Sequence, residues 1–162
     1  MSFCESQRPR LVGLLSLYCG DADVGEEMAQ EAIVRVCRDW SKVRQLEAPE
    51  AWVWRVAINL TNSHFRRKAA ERRVRRRLEG RGSGFLSEQD DASIISIRKV
   101  VAALPTRQRT AVVLRFYLDL SVSQTADLMD CAQGTVKALT HKGIAALRAR
   151  PEFQEDELFD VT

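Results

Sequence analysis

The sequence has few of the residues that hold metal ions. It contains four cysteines, Cys4, Cys19, Cys37 and Cys131, of which no two form a Cys-x-x-Cys pair, and it has only two histidines. Because a zinc site needs such ligands clustered at short spacings, we expect neither a metal ion nor another cofactor. Isolated cysteines indicate reduced thiols in a cytoplasmic protein, with a redox-switch disulfide as the alternative interpretation.

Long apolar runs are also absent. No segment approaches the length that spans a bilayer, and no signal peptide is recognisable, so we expect no membrane insertion. No segment alternates apolar and polar residues as a half-buried strand would. Since 45% of the 162 residues are hydrophobic, the chain can form a core of ordinary size. We predict an all-α fold with two small helical domains joined by a flexible linker.

Charges of both signs are present, but they are segregated along the chain. The net charge is only +3. Residues 66–81 hold nine Lys and Arg against two Glu, residues 82–97 hold three acids and no base, and five acids follow Pro151. This order indicates that the basic stretch forms an anion-binding surface. The acidic segments that follow it either repel anions or mimic them. Glycines at alternate positions from Gly80 end the basic stretch and predict a linker over residues 80–93.

The N-terminal part is predicted to form two helices. Residues 8–20 are mostly apolar and end in Gly20, a common helix stop. Asp23 and Glu26 have the spacing of a capping box, which predicts a second helix from there to Trp40. Its buried face, at helical spacing, is predicted to hold Gly25, Met28, Ala29, Ala32, Ile33, Val36, Cys37 and Trp40. The opposite face is either a solvated surface or a docking site, and it holds Glu27, Gln30, Glu31, Val34 and Arg38.

A loop is predicted over residues 41–50, followed by a helix that continues to about Leu78. The first half of this helix is apolar on nearly all sides, which is typical of a helix wedged between neighbours. It also carries aromatic, amide and basic groups, which suit unstacked bases and phosphates. These residues are Trp52, Arg55, Asn59, Asn62, Arg66, Arg67 and Lys68. The alternative interpretation is a pair of core tryptophans beside a solvated charge run.

The C-terminal part is predicted to hold helices over residues 94–103 and 106–120, followed by a helix-turn-helix. Ser121 and Gln124 form a second capping box, and the turn falls at Asp130–Cys131. The final helix lies within residues 132–148 and has two different edges. Its apolar or small edge consists of Val136, Thr140, Gly143 and Leu147. Its other edge carries Lys137, Ala138, His141 and Lys142. Small and basic residues on the outward edge are typical of the recognition helix of a helix-turn-helix.

Three segments resemble motifs of one protein family. The segment GDADVGEEMAQEAIVRVCRDW is similar to an Asp-Ala-Glu-Asp-Leu-Val-Gln-Glu helix, and AWVWRVAINLTNSHFRRK to an Ala-Trp-Leu-x-x-Ile-Ala-x-Asn-Leu helix. The segment ALPTRQRTAVVLRFYLDLSVSQTADLMDCAQGTVKALTHKGIAALR is similar to a Leu-Pro-x-x-x-Arg start and a Gly-Thr-Val-Lys recognition helix. With these motifs over residues 8–78 and 94–150, the chain resembles the extracytoplasmic-function sigma factors, which are promoter-specificity subunits of bacterial RNA polymerase.

The resemblance implies a role for three groups of residues. The group on the second helix would dock on the clamp helices of the polymerase largest subunit: Glu27, Gln30, Glu31, Val34 and Arg38. A second group would melt the minus-ten element, capture an extruded base and contact phosphates: Trp52, Arg55, Asn59, Asn62, Arg66, Arg67 and Lys68. The residues implied to meet the minus-thirty-five element, in its major groove or at its backbone, are Gln133, Thr135, Lys137, Ala138, His141 and Lys142.

The resemblance also implies an organisation and a set of partners. Residues 1–79 would bind core polymerase and the minus-ten element, residues 80–93 would be the linker, and residues 94–150 would read the minus-thirty-five element. Residues 151–162 lie outside the resemblance and form an acidic tail, either a disordered end or a segment that docks on a basic surface. The expected partners are promoter DNA and core polymerase, through its largest-subunit clamp helices and its second-largest-subunit flap. An anti-sigma factor is a common further partner in the family. The free chain is expected to be monomeric and, since the polymerase performs the chemistry, not to be an enzyme.

Two other functions compete with this one. A self-sufficient helix-turn-helix regulator would dimerise on two half-sites, yet the sequence has no recognisable dimerisation helix, and its N-terminal motifs would go unexplained. A recombinase or nuclease would need converging carboxylates or a nucleophile, whereas the acids here lie on one helix face, in a linker and in a tail. Footprinting of a duplex without polymerase would favour the regulator, and metal-dependent DNA cleavage would favour the enzyme.

Overall fold

A computed structural model describes residues 2–80 and 92–151, and within these ranges every regular element is helical, which confirms the predicted all-α fold. The helices are α1 (Ser2–Cys19), α2 (Ala22–Arg38), α3 (Trp40–Val43), α4 (Pro49–Glu79), α5 (Ala92–Ala102), α6 (Thr106–Val112), α7 (Val122–Met129) and α8 (Gln133–Arg148). Of the predicted linker, residues 81–91 lie outside the described residues. The predicted acidic tail from residue 152 onward lies outside them as well.

The start of α2 is set by Asp21. The backbone of Asp21 is extended, and its Oδ1 accepts hydrogen bonds from the backbone N–H groups of Asp23 and Val24, at 2.9 and 3.1 Å. The predicted cap at Asp23 is therefore wrong, because Asp23 already lies in the first turn of the helix. Gly25 permits α2 to cross α1 closely, since a Cβ at this position would overlap the backbone of Ser16.

The first helix begins earlier than predicted. It starts at Ser2 rather than at residue 8, because its first turns pack beyond the end of α2. There the rings of Phe3 and Trp40 lie 5.2 Å apart, measured between their centroids. Cys37, predicted to be buried, is exposed, since the fully buried stripe of α2 ends one residue before it, at Val36. The junction of α1, α2 and α3 is thus more open than the sequence pattern indicates.

The predicted loop over residues 41–50 is shorter than expected. Its first part is the short helix α3, in which the backbone N–H of Val43 donates to the carbonyl of Asp39 at 3.0 Å. The side chain of Val43 is almost fully buried, and this burial favours one more helical turn over an open loop.

The longest helix, α4, changes character along its length. Its first half is embedded in the protein, and its buried residues are Val53, Trp54, Ala57, Ile58, Leu60 and Thr61. From Arg66 to Gly80 every residue is exposed, so the second half projects from the body of the protein as a basic rod. The end of the helix at Glu79 confirms the predicted extension to about Leu78.

The predicted helix over residues 106–120 is confirmed as far as Tyr117 and is wrong beyond it, and its second part is not an α-helix. The segment Val113–Tyr117 is π-helical, and the backbone N–H of Leu118 donates to the carbonyl of Val113 at 3.3 Å. Asp119 then adopts a left-handed conformation with φ of 53°, which ends the helical path. The wider π-turn and this left-handed residue turn the chain into the following helix-turn-helix.

The helix-turn-helix itself is built as its sequence predicts. Ser121 Oγ accepts from the backbone N–H of Gln124 at 3.0 Å, and Gln124 Oε1 accepts from the N–H of Ser121 at 2.9 Å, which confirms the second capping box. Asp130, with φ of 53°, ends α7 and forms the turn. The apolar edge of α8 is confirmed at Val136 and Leu147, which are buried.

The N-terminal half (α1–α4, residues 2–80) and the C-terminal half (α5–α8, residues 92–151) pack on one another. They share a continuous hydrophobic core. Tyr18 of α1 is fully buried and reaches α6, where its hydroxyl lies 3.0 Å from Thr110 Oγ1. Gly20, with φ of +73°, ends α1 as predicted and brings this turn against α5, where a Cβ would lie 2.7 Å from the Cβ of Ala102. The sequence predicts two modules on a tether and does not indicate that they are in contact.

Candidate nucleic-acid interface

The helix α8 presents one edge that is not covered by the described part of the chain. Its opposite stripe is buried, and at Gly143 a Cβ would lie 2.6 Å from Val112 Cγ2 of α6. The four residues predicted for the outward edge and the two implied to lie near the DNA backbone are all exposed: Lys137, Ala138, His141 and Lys142, with Gln133 and Thr135. The packing therefore fixes the rotation of α8 about its axis and leaves this edge available to another molecule.

The electrostatics of this edge favour an anion. The helix α8 contains no acidic residue, and Lys137 and Lys142 are both exposed. Its N-cap residue, Ala132, offers no side-chain acceptor to the first amide groups of the helix. The positive end of the helix dipole and the two lysines that follow it, Lys137 after one turn and Lys142 further along, all favour an anion such as phosphate.

The basic rod of α4 is a second surface suited to anionic ligands. Arg66, Arg67 and Lys68 are exposed where α4 leaves the core, and Arg66 Nη2 donates to Ser63 Oγ at 3.1 Å. Salt bridges among the described residues involve the carboxylates of Glu26, Glu31 and Asp39, and none of these pairs with the rod. Guanidinium groups without carboxylate partners are suited to phosphates.

Three of the polar residues predicted on α4 come together at the cleft between the two halves. Arg55, Asn59 and Asn62 line a cavity of about 400 Å³, which the C-terminal half closes from the other side. Trp52 does not line this cavity, because its side chain packs partly buried against the hydrophobic core. The guanidinium and amide groups of the predicted cluster therefore lie together, and Trp52 is not part of the cluster.

Hydrogen bonds join this polar face of α4 to the rest of the protein. Arg55 Nη2 donates to the backbone carbonyl of Asp127 in α7, at 2.6 Å. Tyr18 donates its hydroxyl proton to Asn62 Oδ1 at 2.7 Å, beside Thr110. Burial raises the pKa of the Tyr18 phenol, so the hydroxyl keeps its proton and acts as a donor. Arg55, which was predicted to face DNA, thus links the two halves, whereas Asn62 bonds to Tyr18 of its own half, and Tyr18 in turn meets Thr110 of the other.

Sequence reasoning missed three partners in this contact: Tyr18, Thr110 and Asp127. A tyrosine within an otherwise apolar helix is a weak signal, because a buried phenol generally finds a hydrogen-bond partner. The identity of that partner was not readable, since Thr110 lies 92 residues away along the chain. Asp127 contributes a backbone carbonyl, for which no side-chain pattern exists.

The outer face of α2 forms a third surface, which differs from the cleft in composition and borders α4 at a cavity lined by Glu31, Asn59 and Arg67. Glu27, Gln30, Val34 and Arg38 are exposed there, and Glu31 is half-buried. Val34 is 65% exposed, which is unusual for a branched apolar side chain in the middle of a well-packed helix. Glu31 forms a salt bridge of 3.7 Å with Arg35 along the same face. An exposed apolar residue framed by charges suits a protein partner.

Within residues 2–80 and 92–151, no three His, Cys, Asp or Glu side chains converge as metal ligands would. None of the described helices combines the length and the hydrophobicity that a membrane crossing needs.

Comparison with known proteins gives matches over both halves of the chain. The family models for sigma-70 region 2 and sigma-70 region 4 match residues 3–71 and 94–147. The RNA polymerase sigma-E factor of Streptomyces avermitilis is 30% identical over 132 residues, which cover 80% of this chain and 72% of that protein. The ECF RNA polymerase sigma factor SigW of Bacillus subtilis is 27% identical over 142 residues, which cover 80% of this chain and 76% of that protein.

One solved structure has the same fold as the whole chain. It is the co-crystal structure of the sigma factor RpoE in complex with the anti-sigma factor NepR from Bartonella quintana, with a TM-score of 0.75 and 18% identity over 91% of this chain and 94% of that chain. A self-sufficient regulator would account for the match to region 4 and leave the match to region 2 unexplained. The chain belongs to the extracytoplasmic-function class of RNA polymerase sigma factors.

Proposed function

We propose that this sigma factor assigns its polymerase and promoter contacts to the three surfaces described above. The outer face of α2 docks on the polymerase, the polar face and basic rod of α4 melt and hold the minus-ten element, and the outward edge of α8 reads the minus-thirty-five element. The observation that carries this assignment is the burial pattern of α8. One of its edges is packed against α6, and the six residues of the other edge are all exposed.

At the minus-thirty-five element, α8 enters the major groove. Lys137 and His141 lie one turn apart on the exposed edge, so their side chains reach neighbouring base edges. A Lys on the O6 and N7 atoms of guanine contributes about 1–3 kcal/mol of discrimination against the wrong base. Gln133 and Thr135, in the first turn, contact backbone phosphates, which position the helix without reading sequence.

At the minus-ten element, α4 supplies different chemistry to bases and to backbone. Arg55, Asn59 and Asn62 offer guanidinium and amide groups to an extruded base, at an unstacking cost of a few kcal/mol. Arg66 to Lys68 hold the phosphates beside it and offset part of that cost. Trp52 borders this face at the edge of the core, where its partly buried ring supports the helix next to the melted strand.

The same assignment of surfaces gives the contacts with the polymerase. Val34 and the charged groups around it dock on the clamp helices of the largest subunit, and the C-terminal half docks on the flap of the second-largest subunit. The free chain is a monomer, since docking on the polymerase leaves no role for self-association. These contacts hold the two halves at the spacing of the two promoter elements.

The closed arrangement sets the order of events. Arg55 Nη2 is held by the carbonyl of Asp127, and Asn62 accepts from Tyr18 and lines the cavity between the halves, so both groups are engaged in the free chain. Polymerase binding separates the halves and uncovers them before melting begins. An anti-sigma factor that prefers the closed arrangement would oppose this step; the solved structure of similar fold contains a sigma factor in complex with an anti-sigma factor.

Transcription in vitro tests the proposal. Core polymerase plus this protein is expected to start transcripts at a defined promoter, and Lys137→Ala is expected to reduce discrimination between correct and mutated minus-thirty-five elements roughly tenfold. Lys99→Ala removes an exposed lysine from α5 and serves as the matched control. Equal loss on every sequence, or loss of polymerase capture with Lys137→Ala, would show that α8 has another role.

A further inference from the structure

Two cysteines that are distant in sequence meet where α1 crosses the end of α2. Cys4 Sγ and Cys37 Sγ lie 3.6 Å apart, although 33 residues separate them. Cys37 is exposed and Cys4 is half-buried. No part of the proposed promoter or polymerase contacts uses this pair of thiols.

The surrounding packing holds the two thiols together. The neighbouring rings of Phe3 and Trp40 are in contact and fix the first turn of α1 to the junction of α2 and α3. A disulfide has an S–S length of about 2.05 Å, so the sulfur atoms need to approach by only about 1.5 Å. The pKa of the Cys4 thiol is raised, mainly by burial and secondly by its hydrogen bond with the Cys37 thiol. Cys37 is therefore the thiol that solvent and small oxidants reach first.

We propose that Cys4 and Cys37 form an oxidant-responsive site that closes to an intramolecular disulfide when the protein meets hydrogen peroxide. The Cys37 thiolate attacks one peroxide oxygen, the O–O bond breaks, and the departing hydroxide takes up a proton to give water and Cys37 sulfenic acid. Cys4 Sγ, after giving up its proton, attacks Cys37 Sγ, the S–O bond breaks, and that proton completes a second water. Two thiols lose two electrons in total, and one peroxide accepts them.

The pair also determines what becomes of Cys37 under stronger oxidation. A sulfenic acid without a thiol partner proceeds to sulfinic acid, which ordinary thiols do not reduce. Cys4 is within reach and intercepts the sulfenic acid first. The other two cysteines are poor alternatives, because burial raises the pKa of Cys19 to about 12 and Cys131 lies in the helix-turn-helix.

Treatment of the purified full chain with hydrogen peroxide tests this site. The expected product has lost two of its four thiols and 2 Da, carries a Cys4–Cys37 cross-link in peptide mapping, and returns to the starting mass with dithiothreitol. The melting temperature of the oxidised chain is expected to rise by about 5–10 °C, because the bridge closes a loop of 33 residues.

Variants make the test specific. The double variant Cys19→Ser with Cys131→Ser should form the bridge at the wild-type rate. Cys4→Ser should instead accumulate sulfinic acid at Cys37, a gain of 32 Da that dithiothreitol does not reverse. Cys37→Ser, at an exposed position that tolerates the change, should keep its three thiols. A cross-link through Cys19 or Cys131, a dimer joined between chains, or the same irreversible oxidation of Cys37 in wild type and Cys4→Ser would overturn the proposal.

Discussion

Arg55 of α4 donates a hydrogen bond to the backbone carbonyl of Asp127, 2.6 Å away across the boundary between the two halves. Asp127 lies in α7, the helix that supports the recognition helix α8. One guanidinium group therefore joins the surface proposed for the minus-ten element to the unit proposed for the minus-thirty-five element. A partner that takes Nη2 of Arg55 competes with this hydrogen bond to α7.

Arg55→Ala is expected to act on two steps in opposite directions. It loosens the closed arrangement by removing a charged hydrogen bond, and it weakens melting by roughly tenfold because the extruded base loses a partner. Permanganate reactivity of minus-ten thymines measures the melting, and fluorescence transfer between labels on the two halves measures the opening. Arg107→Ala, across the same cavity, is the control and should leave melting intact. Normal melting by Arg55→Ala would remove Arg55 from the proposed DNA contact.

Tyr18→Phe is expected to lower the free energy of unfolding by about 1–2 kcal/mol. The substitution leaves Asn62 and Thr110 without their shared partner in the contact between the halves. Urea unfolding measures the stability, and amide exchange in α6 reports separation of the halves. Tyr117→Phe is the matched control, since this phenol is 43% exposed. Equal stability losses in both variants would mean that the buried hydrogen bonds contribute nothing specific.

Val34→Glu is expected to lower the affinity for core polymerase roughly tenfold. A branched apolar side chain that is 65% exposed in the free protein gains about 1–2 kcal/mol when a partner buries it. Titration of labelled protein with core polymerase measures the dissociation constant. Val74→Glu, on the basic rod and 56% exposed, is the control. If both variants bind as wild type does, the outer face of α2 is only solvated.

Gly25→Ala is expected to destabilise the protein by about 1–3 kcal/mol, because the added methyl overlaps the backbone of Ser16 where α2 crosses α1. Gly134→Ala is the matched control at a helical glycine with open space around it, and it should be neutral or stabilising by up to about 1 kcal/mol. Thermal and urea unfolding measure both. A tolerated methyl at position 25 would mean that the two helices cross at a greater distance.

Stability is expected to decline in alkaline solution through Cys19. Burial raises the pKa of its thiol to about 12 in the folded protein, whereas an unfolded cysteine titrates near about 8.5. The contribution is fully present below the unfolded value and is lost as the pH rises towards 12, because the unfolded chain releases the proton first. Unfolding midpoints at pH 8 and pH 10.5 measure this, and Cys19→Ala should reduce the difference. An equal decline in Cys19→Ala would assign the effect to other groups.

The elements of the fold were largely predictable because their signals are local. The capping box at Ser121 and Gln124, the glycine stop at Gly20 and the periodicity of α8 each arise from hydrogen bonds or packing within a few residues. The predictions failed where two local signals competed. Asp21 caps α2 although Asp23 has the better motif, because the extended backbone of Asp21 brings its carboxylate to the free amides.

The sequence by itself determined most of the buried stripes of α2 and α8, Cys37 excepted, the residues that remain outside, and the position of the basic rod. Only the tertiary structure decided that Arg55 donates to the other half, that Asn62 accepts from Tyr18, and that Cys4 meets Cys37. The physical reason is that helical periodicity follows from the neighbours of a residue along the chain. A hydrogen bond between distant segments depends instead on how whole helices pack, which no spacing in the sequence encodes.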